Sequence, residues 1–580
     1  MSAVVCDGDV TSVRVARARG TGIQSPSKHP RGDLLQRTLS NHSHHGTRRL
    51  VLNRPDRKPE QGHFRAGAPP RRFAALAAVV LLAVVPACRP SDSGRAAPQS
   101  STDHVDKSVQ APGEDIWEAH YLRGTKIGYG HTTIRAVTRD GRKLLHVHST
   151  NHLEITRFGQ KTQQDMVMEI VESPDGTVVE FKTEAALGPS PMVVTGRVEG
   201  ERMTITTKTQ GRGDTTRIAW SSDVRGFRAV EQSLERQPMK PGERRSFKMF
   251  IPLLNQIAEA QIVAHAYENT PVLGVEANLL RIDCVARLPG GQSITSILWT
   301  DAQGRVIKTR VAALEQESFR TTPELALAPA RDGVELDIGL DLIVKVEPPL
   351  ENPHRTRQVR YRVELAQGDP AKVFATGPLQ SVTSTGPHAA SVIVRSLRPD
   401  DVQPLGMPPA PVAAEYTSAN SVLQIDDPRI RQMASEAKQE ATNSKDLAIA
   451  LERYVHRAVS EKNFSHGFAT AADVAQSREG DCTEHAVLLA ALLRVCGIPS
   501  RVAIGLVYVE RMGGFGYHMW TEALLDGQWV PLDATVGQGG TSAAYLKLSD
   551  SSLDGASVYS SFLVVADVLG QLKVGVIEAE

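Results

Sequence analysis

The chain has 580 residues, a hydrophobic share of 41% and a formal net charge of +1, a length that suits about three or four domains at roughly 150 residues each. The near-zero charge offers no basic surface for nucleic acid and no strongly charged face for another partner. Its five cysteines form no Cys-x-x-Cys pair, and no glycine-rich loop ends in Lys-Ser or Lys-Thr, so zinc and nucleotide chemistry lack a motif.

Residues 1–70 are rich in Arg, His, Ser, Gly and Pro and show little apolar periodicity, so they cannot build a core. A disordered extension, or an assigned start placed too early, is expected there. The His42-Ser-His-His45 tract reads as part of that polar stretch rather than as a metal site. Arg71-Arg72 precede the apolar run Phe73–Val85 and then Pro86-Ala87-Cys88. About a dozen apolar residues are too few to span a bilayer comfortably and suit the core of a signal peptide. The ending Val85-Pro-Ala-Cys88 resembles a bacterial lipobox. That implies lipid attachment at Cys88 and an extracytoplasmic, membrane-anchored lipoprotein of the cell envelope. Residues 89–113, rich in Ser, Pro and Ala, read as a linker.

From 114 to 320 alternating stretches follow one another closely, among them Thr132–Thr138, Leu144–Thr150 and Met166–Val171. Asp140-Gly141, Asp175-Gly176 and Pro289-Gly-Gly291 punctuate them. Such spacing predicts a β-rich domain of antiparallel strands, a barrel, half-barrel or sandwich-like fold. His146, His148 and His152 share one strand face, read as a polar face rather than a metal site. Residues 333–398 predict a small β-sandwich-like domain, and Pro399–Pro411 a second linker.

Residues 412–580 change character. Asp427-Pro428 gives an N-cap and first-turn proline. Leu447, Leu451, Tyr454, Val455, Ala458 and Val459 lie on one helix face. Thr470-Ala-Ala-Asp473 starts a short helix. Asp481 caps a buried apolar helix that starts at Cys482 and stops at Gly497 and Pro499. Helix-start N–H groups favour a thiolate, so Cys482 is expected to react below the ordinary thiol pKa. Arg501–Glu510 reads as a strand. His518–Leu525 and Gln528–Ala534 read as a hairpin closed by Asp526-Gly527. Pairing Leu525 with Gln528 puts His518 and Asp533 on one face as diagonal neighbours, about 7–8 Å apart at the backbone. A thiol, an imidazole and a carboxylate are the parts of nucleophilic acyl chemistry. His485 lies too far along the helix to serve as the base. Cys496 reads as core, Trp520 and Trp529 as core aromatics beside the site, and Glu484 as a first-turn charge suited to the helix dipole.

This order resembles the transglutaminase-like superfamily, most closely the bacterial transglutaminase core domain, over roughly Tyr416 to Lys547. The resemblance rests on Gly480-Asp481-Cys482, Gly497-Ile-Pro-Ser-Arg501, His518-Met-Trp520 and Trp529-Val-Pro-Leu-Asp533-Ala-Thr535. It implies an α+β, papain-like cysteine domain with Cys482 as nucleophile, His518 as base and Asp533 as orienting carboxylate, acting on a protein or peptide substrate. Gln476, six residues before Cys482, is the candidate second oxyanion donor beside the Cys482 backbone N–H. No cofactor and no metal are implied, calcium included. The alternative is a catalytically silent binding or scaffold protein on the same fold.

Overall fold

The computed structural model describes residues 113–330, 336–404, 411–438, 441–554 and 558–580. The extension before residue 71, the segment 71–88 expected as a signal peptide with its Cys88, and nearly all of the first linker lie outside them. The described residues fall in one compact unit.

Two-residue alternation builds the first layer. Leu153 and Ile155 of Arg142–Arg157 (β1) and Met166, Met168 and Ile170 of Gln160–Glu172 (β2) all point into the core, as a half-buried antiparallel pair should. Fifteen strands between Glu114 and Thr321 form one sheet. Each half runs as consecutive antiparallel neighbours, except that the edge strand Val224–Arg225 pairs parallel to Arg244–Ile251. The first strand, Glu114–Leu122, joins the halves by pairing with the last, Gln316–Thr321, as well as with Thr125–Arg139. Its edges in the strand order are Arg212–Ala219 and Val224–Arg225, and Arg225 bridges back to Thr177, at the turn before Val178–Ala186. Asp140-Gly141 turns with both φ values positive, 52° and 72°, the geometry of a tight hairpin turn.

The segment expected as a small sandwich forms no second sheet of its own. Its strands Gln358–Leu365, Gln380–Gly386 and Ala389–Arg395 make a four-stranded sheet with the last strand of the chain, Leu572–Ala579. Local patterning could not show which distant strand fills that edge.

The remaining elements are helices on a third sheet. Pro428–Ala437 (α1), Ser444–Ala458 (α2) and Ala471–Ser477 (α3) surround Cys482–Val495 (α4), which is buried at every position from Cys482 to Arg494. That explains why α4 is apolar on all sides. Ser500–Val509 (β3) lies between Gly514–Leu525 (β4) and Tyr545–Ser551 (β6). Gln528–Leu532 (β5) pairs with β4, as does Val344–Lys345. One continuous hydrophobic cluster runs from Leu153 and Ile155 through Val359 and Tyr361 to Leu488, Leu506 and Val574. The β-rich part and the helical part share a core.

Candidate active site

The chain turns into α4 in a conformation that only glycine adopts readily. Gly480 has φ +149°, and a Cβ there would stand 2.3 Å from the Glu484 Cβ. Asp481 then closes a reciprocal cap. Its Oδ1 accepts from the Thr483 N–H at 2.8 Å, and its own N–H donates to Glu484 Oε2 at 2.9 Å. Glu484 also accepts from the Ala469 N–H at 3.1 Å. Cys482, fully buried, is the first residue of α4, and the backbone N–H of Met519 on β4 points at its thiol.

Met519 follows His518. The β4–β5 pairing runs from Leu525–Gln528 to Thr521–Leu532 and carries Asp533 to His518. The imidazole Nε2–H donates to Asp533 Oδ2 at 2.8 Å, and the Tyr545 hydroxyl donates to the same oxygen at 2.7 Å. Burial alone would raise the Asp533 carboxyl. The charge and hydrogen bond of His518, with the Tyr545 hydroxyl and the Thr535 N–H, instead hold it well below the usual carboxylate range. His518 Nδ1 is buried and has no hydrogen-bond partner among the described residues. The Trp520 ring lies nearly parallel to the imidazole, 6.3 Å between centroids, and meets Tyr545 edge-on at 5.3 Å.

Burial acts against the expected acidity of Cys482. Loss of solvent, and then the Asp481 charge, push its thiol well above the ordinary range; the Met519 N–H and Arg157 only partly offset them. The helix-start argument left out complete desolvation, which acts in the opposite direction.

Three further residues organise the site and were not found in the sequence. Glu452 of α2 is fully buried. Its Oε1 accepts from the N–H groups of Asp533 at 2.9 Å and Gly540 at 3.1 Å, and its Oε2 from Gly539. A glutamate among Ala448, Leu451 and Val455 on the buried face of a helix was the available signal. Tyr545 is the second donor to Asp533. Arg157, from the last position of β1, reaches Asp481.

Other expected residues stand apart. Gln476 is exposed at the end of α3, whose first five positions are the buried ones. The His485 Nδ1–H donates to the Asp481 carbonyl at 2.5 Å and its Nε2 accepts from Lys462 at 3.0 Å; burial and the lysine push its pKa down to about 3. Cys496, at the C-cap of α4, is half-buried and packs against the core. Trp520 is buried beside the imidazole, whereas Trp529 is half-buried, stacked 4.3 Å from the Arg501 guanidinium. Glu484 is buried too, and its carboxyl is raised by that burial and by Asp481. His146 and His152 pair with Glu169 and Asp165 of β2 at 3.3 and 2.8 Å. Among the described residues no cluster of His, Cys, Asp or Glu is placed to hold a metal ion.

A cavity of about 160 Å³ opens beside His518, lined by His354, Tyr508, Glu510, Arg511 and Val536 among others. A larger apolar cavity lies inside the fifteen-stranded sheet, away from the thiol.

No curated protein matches the chain in sequence. Solved structures similar to parts of it include a candidate cysteine protease from Cytophaga hutchinsonii, 14% identical over 37% of this chain and 83% of that one, with a TM-score of 0.25. A TGase is 14% identical over 27% of this chain and 43% of its own length, TM-score 0.16. A DUF1089 family protein from Pseudomonas aeruginosa is 10% identical over 36% of this chain and 95% of its own, TM-score 0.17. The family model for the transglutaminase-like superfamily core matches residues 431–534, the segment that holds α4, β3, β4, β5 and all of Cys482, His518 and Asp533. By residues 431–534, the chain carries a core domain of the transglutaminase-like superfamily.

Proposed function

We propose that this protein is a thiol-dependent enzyme acting on amides of proteins or peptides, with Cys482 as nucleophile, His518 as base and Asp533 as the carboxylate that orients the ring. One observation carries the reading. Asp533 holds the proton on Nε2, which leaves Nδ1 as the basic nitrogen of a ring whose strand also faces the thiol. Nδ1 takes the thiol proton and the sulfur attacks the amide carbonyl. The backbone N–H of Cys482, at the helix start, stabilises the oxyanion. The imidazolium gives its proton to the leaving amine, and a thioester remains. Water completes a hydrolase; a lysine amine completes a transglutaminase. Substrate approaches through the cavity beside His518.

The second reading, a silent scaffold or binding protein, draws on the complete burial of Cys482. Intact-mass spectrometry separates the two. With candidate peptides, the enzyme gives an acyl adduct on Cys482 that water or an added amine discharges, and Cys482→Ala gives none. Absence of any adduct, with the thiol inert to iodoacetamide, favours the scaffold.

The same proposal places the enzyme outside the cytoplasm, held in a bacterial membrane by lipid on Cys88. It rests on the charge, apolar length and small residue of the Arg71 to Cys88 run. Labelled palmitate is expected to enter the wild type and not Cys88→Ala; an unlabelled chain retaining residues 1–87 would sink this part.

A further inference from the structure

The turn joining β1 to β2 reaches from the fifteen-stranded sheet to the segment before α3 and the start of α4. The Gln160 side-chain carbonyl accepts from the Phe464 N–H at 2.6 Å, and the Thr162 hydroxyl donates to the Phe464 carbonyl at 2.7 Å. The Phe158 ring lies 4.9 Å from that of Phe464. Arg157 goes deepest. Its side chain is 0% exposed and that of Asp481 1%. The guanidinium donates to Asp481 Oδ2 at 2.5 Å and to the His466 carbonyl at 3.0 Å. Asp481 is the cap of α4 and the residue before Cys482. The neighbouring loops repeat the grip. The Ser190 hydroxyl and the Gln210 amide each donate to Asp473 at 2.6 Å. At Gly188 a Cβ would stand 2.1 Å from the Phe468 carbonyl oxygen.

A buried arginine joined to a buried aspartate is expensive to keep unless the pair is needed where it sits. We propose that Arg157 is a positioning residue for Cys482, and that the fifteen-stranded sheet is thereby a working part of the thiol site rather than a spacer. The inference rests on the reading of Cys482 as the nucleophile. Charged groups act on the thiol from the elements packed around it: Asp481 and Glu484 at the start of α4 and Arg157 from β1, while β4 presents the Met519 N–H beside His518, whose ring is held by Asp533. His485 and Lys462 lie one turn farther on. Arg157 does two things in this set. It opposes the Asp481 charge, which disfavours a thiolate at the next residue. It also keeps that carboxylate ionised, so that Asp481 holds the Thr483 N–H and fixes the first turn of α4.

The test is the pH profile of iodoacetamide alkylation at Cys482, read by peptide mass spectrometry on the full chain, with Cys284 as internal control. Arg157→Lys, which keeps the charge, is expected to retain the wild-type midpoint. Arg157→Gln is expected to raise it by about one unit, so that alkylation below both midpoints slows about tenfold. The double variant Arg157→Gln/Asp481→Asn is expected to return to the wild-type rate, because asparagine still caps the helix without the charge. A wild-type midpoint in Arg157→Gln would overturn the inference. If that variant does not fold, Asp481→Asn alone decides: alkylation faster than wild type supports the role, and an unchanged rate overturns it. A wild-type Cys482 that never alkylates while folded would sink the thiol reading and this inference together, whereas a reactive wild type with an indifferent Arg157→Gln sinks this inference alone.

Discussion

Two donors converge on one oxygen of Asp533, the His518 Nε2–H at 2.8 Å and the Tyr545 hydroxyl at 2.7 Å. A carboxylate held in this way orients the ring. His518→Ala and Asp533→Asn are each expected to lower turnover by at least about tenfold, with the pair costing far less than the product of the singles, as residues acting as one unit do. A double-mutant cycle with independent losses would refute the shared relay. The thiol itself is governed by burial. Since desolvation and Asp481 push it well above the ordinary range, alkylation of resting Cys482 is expected to climb with pH through a midpoint above that of an unfolded-chain thiol. A midpoint below it would show that the site opens or that the helix start outweighs burial. The residues of this site were legible one at a time: Cys482 from its helix start, His518 and Asp533 from hairpin register. Their burial was not legible, because it depends on what covers them.

Backbone conformation at the entry to α4 sets the element scale. A side chain at Gly480 meets Glu484 at 2.3 Å in a φ region hostile to L-residues. Gly480→Ala is therefore expected to cost about 2–3 kcal/mol, measured by denaturant unfolding, and to slow Cys482 alkylation because the cap shifts. The α2 helix supports the opposite side through Glu452. Removing that side chain in Glu452→Ala leaves buried N–H groups of Asp533, Gly539 and Gly540 without their acceptor, a loss of about 2–4 kcal/mol. Its pH dependence has a definite sign. Burial raises the Glu452 carboxyl to about 7, the backbone N–H groups offsetting part of the effect. The folded state thus holds this proton more tightly than the unfolded chain. The stabilisation is complete below the unfolded value of about 4.3 and is lost as pH rises through 7. The gap between wild type and Glu452→Ala is expected to be wider at pH 5 than at pH 8; a gap that widens with pH would contradict the burial argument.

At the scale of the whole molecule, the helical part does not stand alone. Its core is continuous with that of the fifteen-stranded sheet, the turn into α4 at Asp481 is tied to Arg157, and the last strand of the chain completes a sheet begun by Gln358–Leu365. A fragment of residues 412–580 leaves Asp481 buried without its cation and exposes the apolar surface that the sheet covers. It is expected to show no cooperative thermal transition, whereas the chain from residue 113 onward melts as one unit. A sharp two-state melt of the fragment would show that the helical part is an independent domain.

Short-range physics was enough for the sequence to determine the strand-rich half, the apolar α4, the Asp526-Gly527 hairpin and the proximity of His518 to Asp533, because periodicity, caps and two-residue turns act over a few positions. Tertiary structure alone decided the rest. It tied the edge strand Val224–Arg225 back to Thr177, and supplied the fourth strand beside Gln358–Leu365 from the far end of the chain. It turned Gln476 outward, and brought Arg157, Glu452 and Tyr545 to residues distant in sequence. These outcomes depend on which apolar faces meet and which buried charges must then be paired, and neither is written in any local pattern.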